Sequence, residues 1–224
     1  MQKYKRIPQI TADGSVTLYI KEIDEHYHST NGAIVEADIV YMKNALLERG
    51  LKDVNILEVG FGTGLNCFMT FLESVKNEMN IHYTTLELYP LSVDEISSIN
   101  YSDILSPEHK AIFLKMHDSK WNEPVEITPN FIIEKRNIDL TKDEVTGKFD
   151  VVYFDSFAPD KQPEMWSDDI YKKIVNAMNS NAVMTTYCAK GIVRRGWQNA
   201  GLTMERIPGP PGKREMLRGK KIEK

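Results

Sequence analysis

The chain has 224 residues, 42% of them apolar and 27% charged, with a formal net charge of −4. This composition excludes a disordered or fibrous chain. It suits one large domain, or one domain with a small appendage, that buries roughly 70% of its unfolded surface. Two cysteines, Cys67 and Cys188, lie far apart without metal-ligand or redox spacing, which excludes a disulfide scaffold and fits a reducing compartment.

The first residues, Met1-Gln2-Lys3-Tyr4-Lys5-Arg6, are polar, and no long apolar run follows. The expectation is a cytoplasmic protein with no signal peptide and no membrane partner. Residues 1–50 are expected to form an N-terminal extension of hairpin, loop and helix, packed on a main domain of residues 51–224. Ile10 to Ile20 reads as a hairpin around an Asp13-Gly14 turn. His26 to Gly32 is a polar loop. Glu36 to Glu48 carries apolar residues at 39, 40, 42, 46 and 47, an imperfect helical stripe closed by Gly50.

Strands and helices then alternate. Val54 to Glu58 reads as a strand, Leu65 to Val75 as a helix and Ile81 to Leu86 as a strand. Residues 91–120 are mostly helical. Phe131 to Glu134 and Asp150 to Phe154 are strands, Ile170 to Met178 is a helix and Ala182 to Tyr187 is a fifth strand. Thr203 to Ile207 and Arg214 to Leu217 bracket the loop Pro208-Gly209-Pro210-Pro211-Gly212, a connection too short for a parallel crossover. The expected fold is α/β, a Rossmann-like, mostly parallel seven-stranded sheet of the class I methyltransferase kind with one antiparallel edge strand. From Lys190 to Lys224 the charge is +7, against −11 for the remainder, so a basic C-terminal face is a candidate phosphate surface.

Glu58-Val59-Gly60-Phe61-Gly62-Thr63-Gly64 follows a strand and opens a helix. Glycines there let the backbone approach a ligand, and the helix N-terminus favours polar or anionic groups. The spacing is G-x-G-x-G, and an acid directly before it suits a cationic ligand better than a pyrophosphate. Glu87, 23 residues after Gly64, ends the next strand and can accept both hydroxyls of a ribose. Asp139 follows the third strand, placed for an adenine amino group. Asp155 ends the fourth strand, facing the reactive methyl in this topology. The five histidines form no metal spacing, His26 and His28 included, and no metal is expected.

Asp155-Ser156-Phe157-Ala158-Pro159 with Pro163-Glu164-Met165-Trp166 resembles the D-G-F-A-P…N-P-x-M-W signature of a tRNA methyltransferase family. That family comprises the methyltransferase part of the bifunctional enzyme MnmC and its stand-alone relatives. Tyr27-His28-Ser29-Thr30-Asn31-Gly32 with Glu36, Gly60 to Asn66, Val193-Arg194-Arg195-Gly196, and Gly212-Lys213-Arg214-Glu215-Met216-Leu217 with Gly219 are similar to its other signatures. The resemblance runs from about Ile10 to Gly219. It departs at Ser156, where relatives often carry glycine, and it lacks the flavin-dependent oxidase part of the bifunctional enzyme.

The resemblance implies S-adenosylmethionine as cofactor, with S-adenosylhomocysteine as product. Cofactor contacts would come from Glu58, Gly60, Phe61, Gly62, Thr63, Gly64, Glu87, Asp139 and Asp155. It implies methylation of the 5-aminomethyl nitrogen of wobble 2-thiouridine in tRNA, with Asp155 as the catalytic residue. Phe157, Pro159 and Trp166 would serve the substrate, and Lys213 and Arg214 the anticodon phosphates. A separate enzyme would supply the aminomethyl precursor. An aminopropyltransferase, a small-molecule amine N-methyltransferase and a non-catalytic RNA-binding module remain the alternatives.

Overall fold

The computed structural model of the chain describes residues 4–222. Residues 1–3 of the polar start, and 223–224 at the end of the basic stretch, lie outside the described residues. Strands β1 (Arg6–Ile10), β2 (Val16–Ile20) and β3 (Glu25–His26) form a small antiparallel sheet of their own. The β1–β2 connection is wider than a two-residue Asp-Gly turn, because Ile10 pairs with Val16. Asp13 closes it: Oδ1 accepts the Ser15 amide at 3.1 Å, and Oδ2 accepts the Val35 amide at 3.1 Å.

Helix α1 (Ala33–Ala37) then runs into a π-wound stretch, Asp38–Leu46. A π-helix bonds i to i+5, so its buried face drifts off the 3.6-residue period. That explains the imperfect stripe in the sequence, since Val40, Tyr41, Met42, Ala45 and Leu46 are nevertheless all buried. Gly50, with φ 59°, ends the segment in the left-handed conformation.

The central strands are β4 (Asp53–Val59), β5 (Asn80–Leu86), β6 (Pro124–Thr128), β7 (Phe131–Arg136), β8 (Phe149–Phe154), β9 (Met178–Thr186), β10 (Thr203–Pro208) and β11 (Glu215–Lys220). Their order is β10-β11-β9-β8-β4-β5-β7-β6. Strands β9, β8, β4, β5 and β7 are mutually parallel. Two short helices, α3 (Val93–Ser97) and α4 (Tyr101–Leu105), follow β5. Apolar residues alternate between two cores. Val54 and Ile56 of β4 and Val151 and Tyr153 of β8 face α2 (Leu65–Asn77), α5 (Lys110–Asp118) and the π segment. Leu57, Val59, Val152 and Phe154 face α6 (Asp168–Ala177) and α7 (Gly191–Asn199).

The α/β class is as the sequence implies, with two corrections. The sheet has eight strands, not seven, and the reversed strand at the C-terminal side is not at the edge. β11 lies between β9 and β10 because it carries the buried Met216, Leu217 and Gly219, whereas β10 buries nothing fully and takes the rim. The extra strand, β6, is reversed against β7 at the opposite rim. It escapes a pattern search because it begins on a proline and fully buries only Ile127, as an edge strand can.

Helix α7 is hidden in the sequence by Gly191 and Gly196. A Cβ at Gly196 would lie 2.1 Å from the Tyr171 ring, so the glycine is what lets α6 and α7 close on each other.

Candidate active site

The cleft opens at the carboxyl ends of β4, β5, β7 and β8, where an open α/β sheet holds its ligands. After β4 the chain turns through Gly60, Gly62 and Gly64, with φ of 94°, 48° and 73°. Gly60 cannot carry a side chain: a Cβ would meet the Asp155 carbonyl at 2.8 Å. The loop is held by main-chain bonds, Gly60 N to Leu86 O at 2.9 Å and Gly64 N to Phe61 O at 2.9 Å, and it delivers the N-terminus of α2 to the cleft.

Glu87 lines the cleft from the end of β5. Its Oε2 accepts the Gly62 amide at 3.1 Å and its Oε1 the Tyr89 amide at 2.7 Å, which fixes the carboxylate and leaves each oxygen a lone pair. Asp155 lines it from the end of β8, anchored by its amide on Val59 O at 3.0 Å. Asn66 Nδ2 donates to Asp155 Oδ2 at 2.8 Å. Burial pushes the Asp155 carboxyl above its ordinary range, while the neighbouring His28, Tyr41 and Asn66 pull it back.

The other expected residues divide. Phe61, Gly62, Thr63 and Phe157 line the cleft with Gly60. Glu58 does not: it is fully buried behind the loop, its Oε2 accepting from Thr85 Oγ1 at 2.8 Å, and burial holds its carboxyl well above the usual range. Gly64 is also set back, over His117.

Asp139 is on the cleft wall, but its carboxylate closes its own turn. Oδ1 accepts from Thr141 Oγ1 at 2.6 Å, and Oδ2 pairs with Lys142 at 2.7 Å. Trp166 braces the 155–166 loop from behind, its indole N–H donating to Phe157 O at 2.8 Å, and Pro159 is partly exposed on that loop.

Lys213 is not a free cation. It pairs with the buried Glu36, and its Nζ sits 4.0 Å from the centre of the Tyr187 ring, whose hydroxyl donates to Ser156 O at 2.8 Å. Arg214 stands exposed on the same loop.

Sequence reasoning left several cleft residues without a role. Tyr27 meets Phe157 edge-on at 5.1 Å, and Lys161 approaches Asp24 at 3.7 Å, so the N-terminal segment and the 155–166 loop close over one side. His28 places Nε2 2.7 Å from Thr63 Oγ1. Asn66 and His28 stand inside the quoted signatures, but nothing in a linear pattern shows that they converge on Asp155 and Thr63. Among the described residues no group of three His, Cys, Asp or Glu is arranged to hold a metal ion, and no helix is long and apolar enough to cross a membrane.

Residues 93–222 match a family described as S-adenosyl-L-methionine-dependent methyltransferase. The tRNA 5-methylaminomethyl-2-thiouridine biosynthesis bifunctional protein MnmC of Leptospira borgpetersenii is 33% identical over 214 residues, spanning 88% of this chain and 32% of that protein. The protein of the same name from Campylobacter fetus is 29% identical over 209 residues, spanning 89% and 34%. The chain thus spans about a third of the length of these curated relatives. In fold, it aligns with the crystal structure of MNMC2 from Aquifex aeolicus at TM-score 0.74 and 22% identity, over 97% of this chain and 70% of that one. Spermidine synthase from Thermotoga maritima aligns at 0.53 and 11%, over 98% and 74%.

Proposed function

The chain belongs to the S-adenosyl-L-methionine-dependent methyltransferase family, and from that premise we propose that it methylates the 5-aminomethyl nitrogen of wobble 2-thiouridine in tRNA. The product is 5-methylaminomethyl-2-thiouridine, the nucleoside in the names of the MnmC relatives. A separate enzyme supplies the primary amine. The observation that carries the reading is the position of Asp155: the acid of the amine-methyltransferase-like signature loop stands at the end of β8, against the glycine loop, inside the cleft.

The residues present fit S-adenosylmethionine. Glu87 is held by two backbone amides with lone pairs to spare for a ribose diol, and Asn66 lines the cleft beside Asp155. When bound, the cofactor supplies a methyl group activated by a sulfonium. Gly60, Gly62 and Thr63 hold the ligand close to the backbone, and the Asp139 turn borders it by its main chain.

Asp155, oriented by Asn66, aligns the amine and offsets the positive charge that grows on nitrogen as it attacks. Phe157 and Tyr27 form an aromatic wall suited to a pyrimidine face. The N-terminal segment around Asp24 and Tyr27 acts as a cap over that side. Arg214 is the better phosphate contact of the basic pair, since Lys213 is engaged by Glu36.

The test is transfer of labelled methyl from S-adenosylmethionine to bulk tRNA lacking this modification, with putrescine and other small amines offered in parallel. Label in tRNA supports the reading. Label in the small amines alone moves the chain to the small-molecule amine N-methyltransferases.

A further inference from the structure

Methylation of a primary amine at neutral pH needs a proton acceptor, because the amine arrives as an ammonium ion and only its neutral form has a lone pair to attack with. Asp155 is a poor choice, since a carboxylate beside an ammonium stabilises the charged form. We propose that His28 accepts this proton at Nδ1, so that the N-terminal segment supplies a catalytic residue to the cleft. This rests on the amine-methylation reading above.

His28 sits between β3 and α1 and lines the cleft together with Asp155 and Asn66. Its ring is held in a defined orientation, edge-on to Tyr101 at 6.2 Å, with Nε2 2.7 Å from Thr63 Oγ1. The Tyr101 hydroxyl donates to that same oxygen at 3.2 Å. A hydroxyl oxygen has two lone pairs. Tyr101 takes one, which leaves the second open to Nε2–H of His28. With Nε2 as the donor, the free lone pair falls on Nδ1, which has no hydrogen-bond partner among the described residues, on a ring that lines the cleft. The imidazolium formed later keeps the same Nε2–H bond, so Thr63 need not rearrange when the proton arrives.

The charges around the ring suit transient protonation. Asp155 from β8, Glu36 from α1 and Asp13 from the β1–β2 turn favour the imidazolium, while burial and Lys213 from the β10–β11 loop oppose it. Burial is the largest of these, so His28 is less basic than a free imidazole and releases its proton readily to solvent after each turnover. In the step itself, one N–H bond of the ammonium breaks, its electron pair stays on nitrogen, and the proton binds Nδ1. That pair then forms the N–C bond as the C–S bond breaks with its electrons left on sulfur. The methylated amine leaves as an ammonium and His28 returns its proton to water.

The experiment compares wild type, His28→Ala and His28→Gln, using labelled S-adenosylmethionine and tRNA bearing the 5-aminomethyl group. Cofactor affinity is measured separately by calorimetry. At neutral pH both variants should lose roughly 100-fold or more in kcat while binding the cofactor within a few-fold of wild type. Added imidazole should restore His28→Ala. The wild-type acid limb should give way to a rate that climbs with pH.

Rates within threefold of wild type overturn the proposal, as does a loss that imidazole does not restore. Nitrogen-15 NMR of the histidine-labelled wild type, with His28→Gln for assignment, reads the tautomer without any acceptor. An Nε2–H form is expected, and an Nδ1–H form overturns the proposal. If wild type methylates no tRNA, the function reading falls while the tautomer still decides for or against His28.

Discussion

The floor and the roof of the cleft are built on different principles. The floor consists of strand ends and the glycine loop, tied by main-chain bonds such as Gly60 to Leu86, Asp155 to Val59 and Glu87 to Arg136. The roof is the N-terminal segment with the 155–166 and 209–214 loops, tied by side chains: His28 to Thr63, Tyr27 to Phe157, Lys161 to Asp24 and Lys213 to Glu36. Main-chain bonds in a parallel sheet are insensitive to salt and to most substitutions. Ion pairs and single ring contacts are sensitive to both. The floor is therefore expected to set whether cofactor binds, and the roof whether the acceptor is held.

The largest expected effect breaks the chemistry while sparing the floor. Asp155→Ala should lower kcat by about 10²–10³-fold with cofactor affinity nearly unchanged, read by methyl transfer and by calorimetry. Equal losses in both would move Asp155 from the reaction to the fold.

Next comes Gly60→Ala, which attacks the floor directly. With φ at 94° and a 2.8 Å clash against the Asp155 carbonyl, it should cost about 1–3 kcal/mol and weaken cofactor binding at least tenfold.

On the roof, Lys213→Met leaves Glu36 buried without its partner. The expected cost is about 1–3 kcal/mol, below that of a fully buried pair because Lys213 is 33% exposed. The KM for the RNA should rise while cofactor affinity holds. A fall in cofactor affinity instead would erase the division between floor and roof.

A smaller effect follows from the pKa of Asp155. Its carboxyl is raised in the folded state, so the acid form is favoured there. This contribution is fully present below the ordinary aspartate range and is lost as pH rises through the raised value. At neutral pH Asp155→Asn should consequently raise Tm, by about 2–4 °C for each kcal/mol recovered, while lowering kcat no more than Asp155→Ala does. An unchanged or lower Tm would contradict that sign. The smallest effect is expected from Asp139→Asn, whose carboxylate serves its own turn: cofactor affinity should shift less than about threefold.

Much of the floor was legible in the sequence, because its determinants are local. Val54 to Val59 followed by three spaced glycines declares a strand, a tight loop and a helix start, and Glu87 and Asp155 each end an apolar run. What escaped was non-local or irregular. The π winding of Asp38–Leu46 blurs the helical period, Gly196 disguises α7 because its role is contact with Tyr171, and β6 is half exposed. Glu36 and Lys213 pair across 177 positions, and His28 meets Thr63 across 35. The turn bonds of the Asp139 carboxylate, to residues two and three positions later, are equally invisible in a linear pattern. The full burial of Glu58 against Thr85 is likewise set by a neighbouring strand and not by its own segment.

If the acceptor is an amine on the wobble uridine, the product itself carries the proof. Wild-type protein, labelled S-adenosylmethionine and tRNA carrying 5-aminomethyl-2-thiouridine would be incubated, and the tRNA digested to nucleosides and analysed by mass spectrometry. One labelled methyl is expected on the exocyclic nitrogen of that nucleoside, absent from the Asp155→Ala reaction. Label on a ring atom, a ribose or any other nucleoside would contradict it.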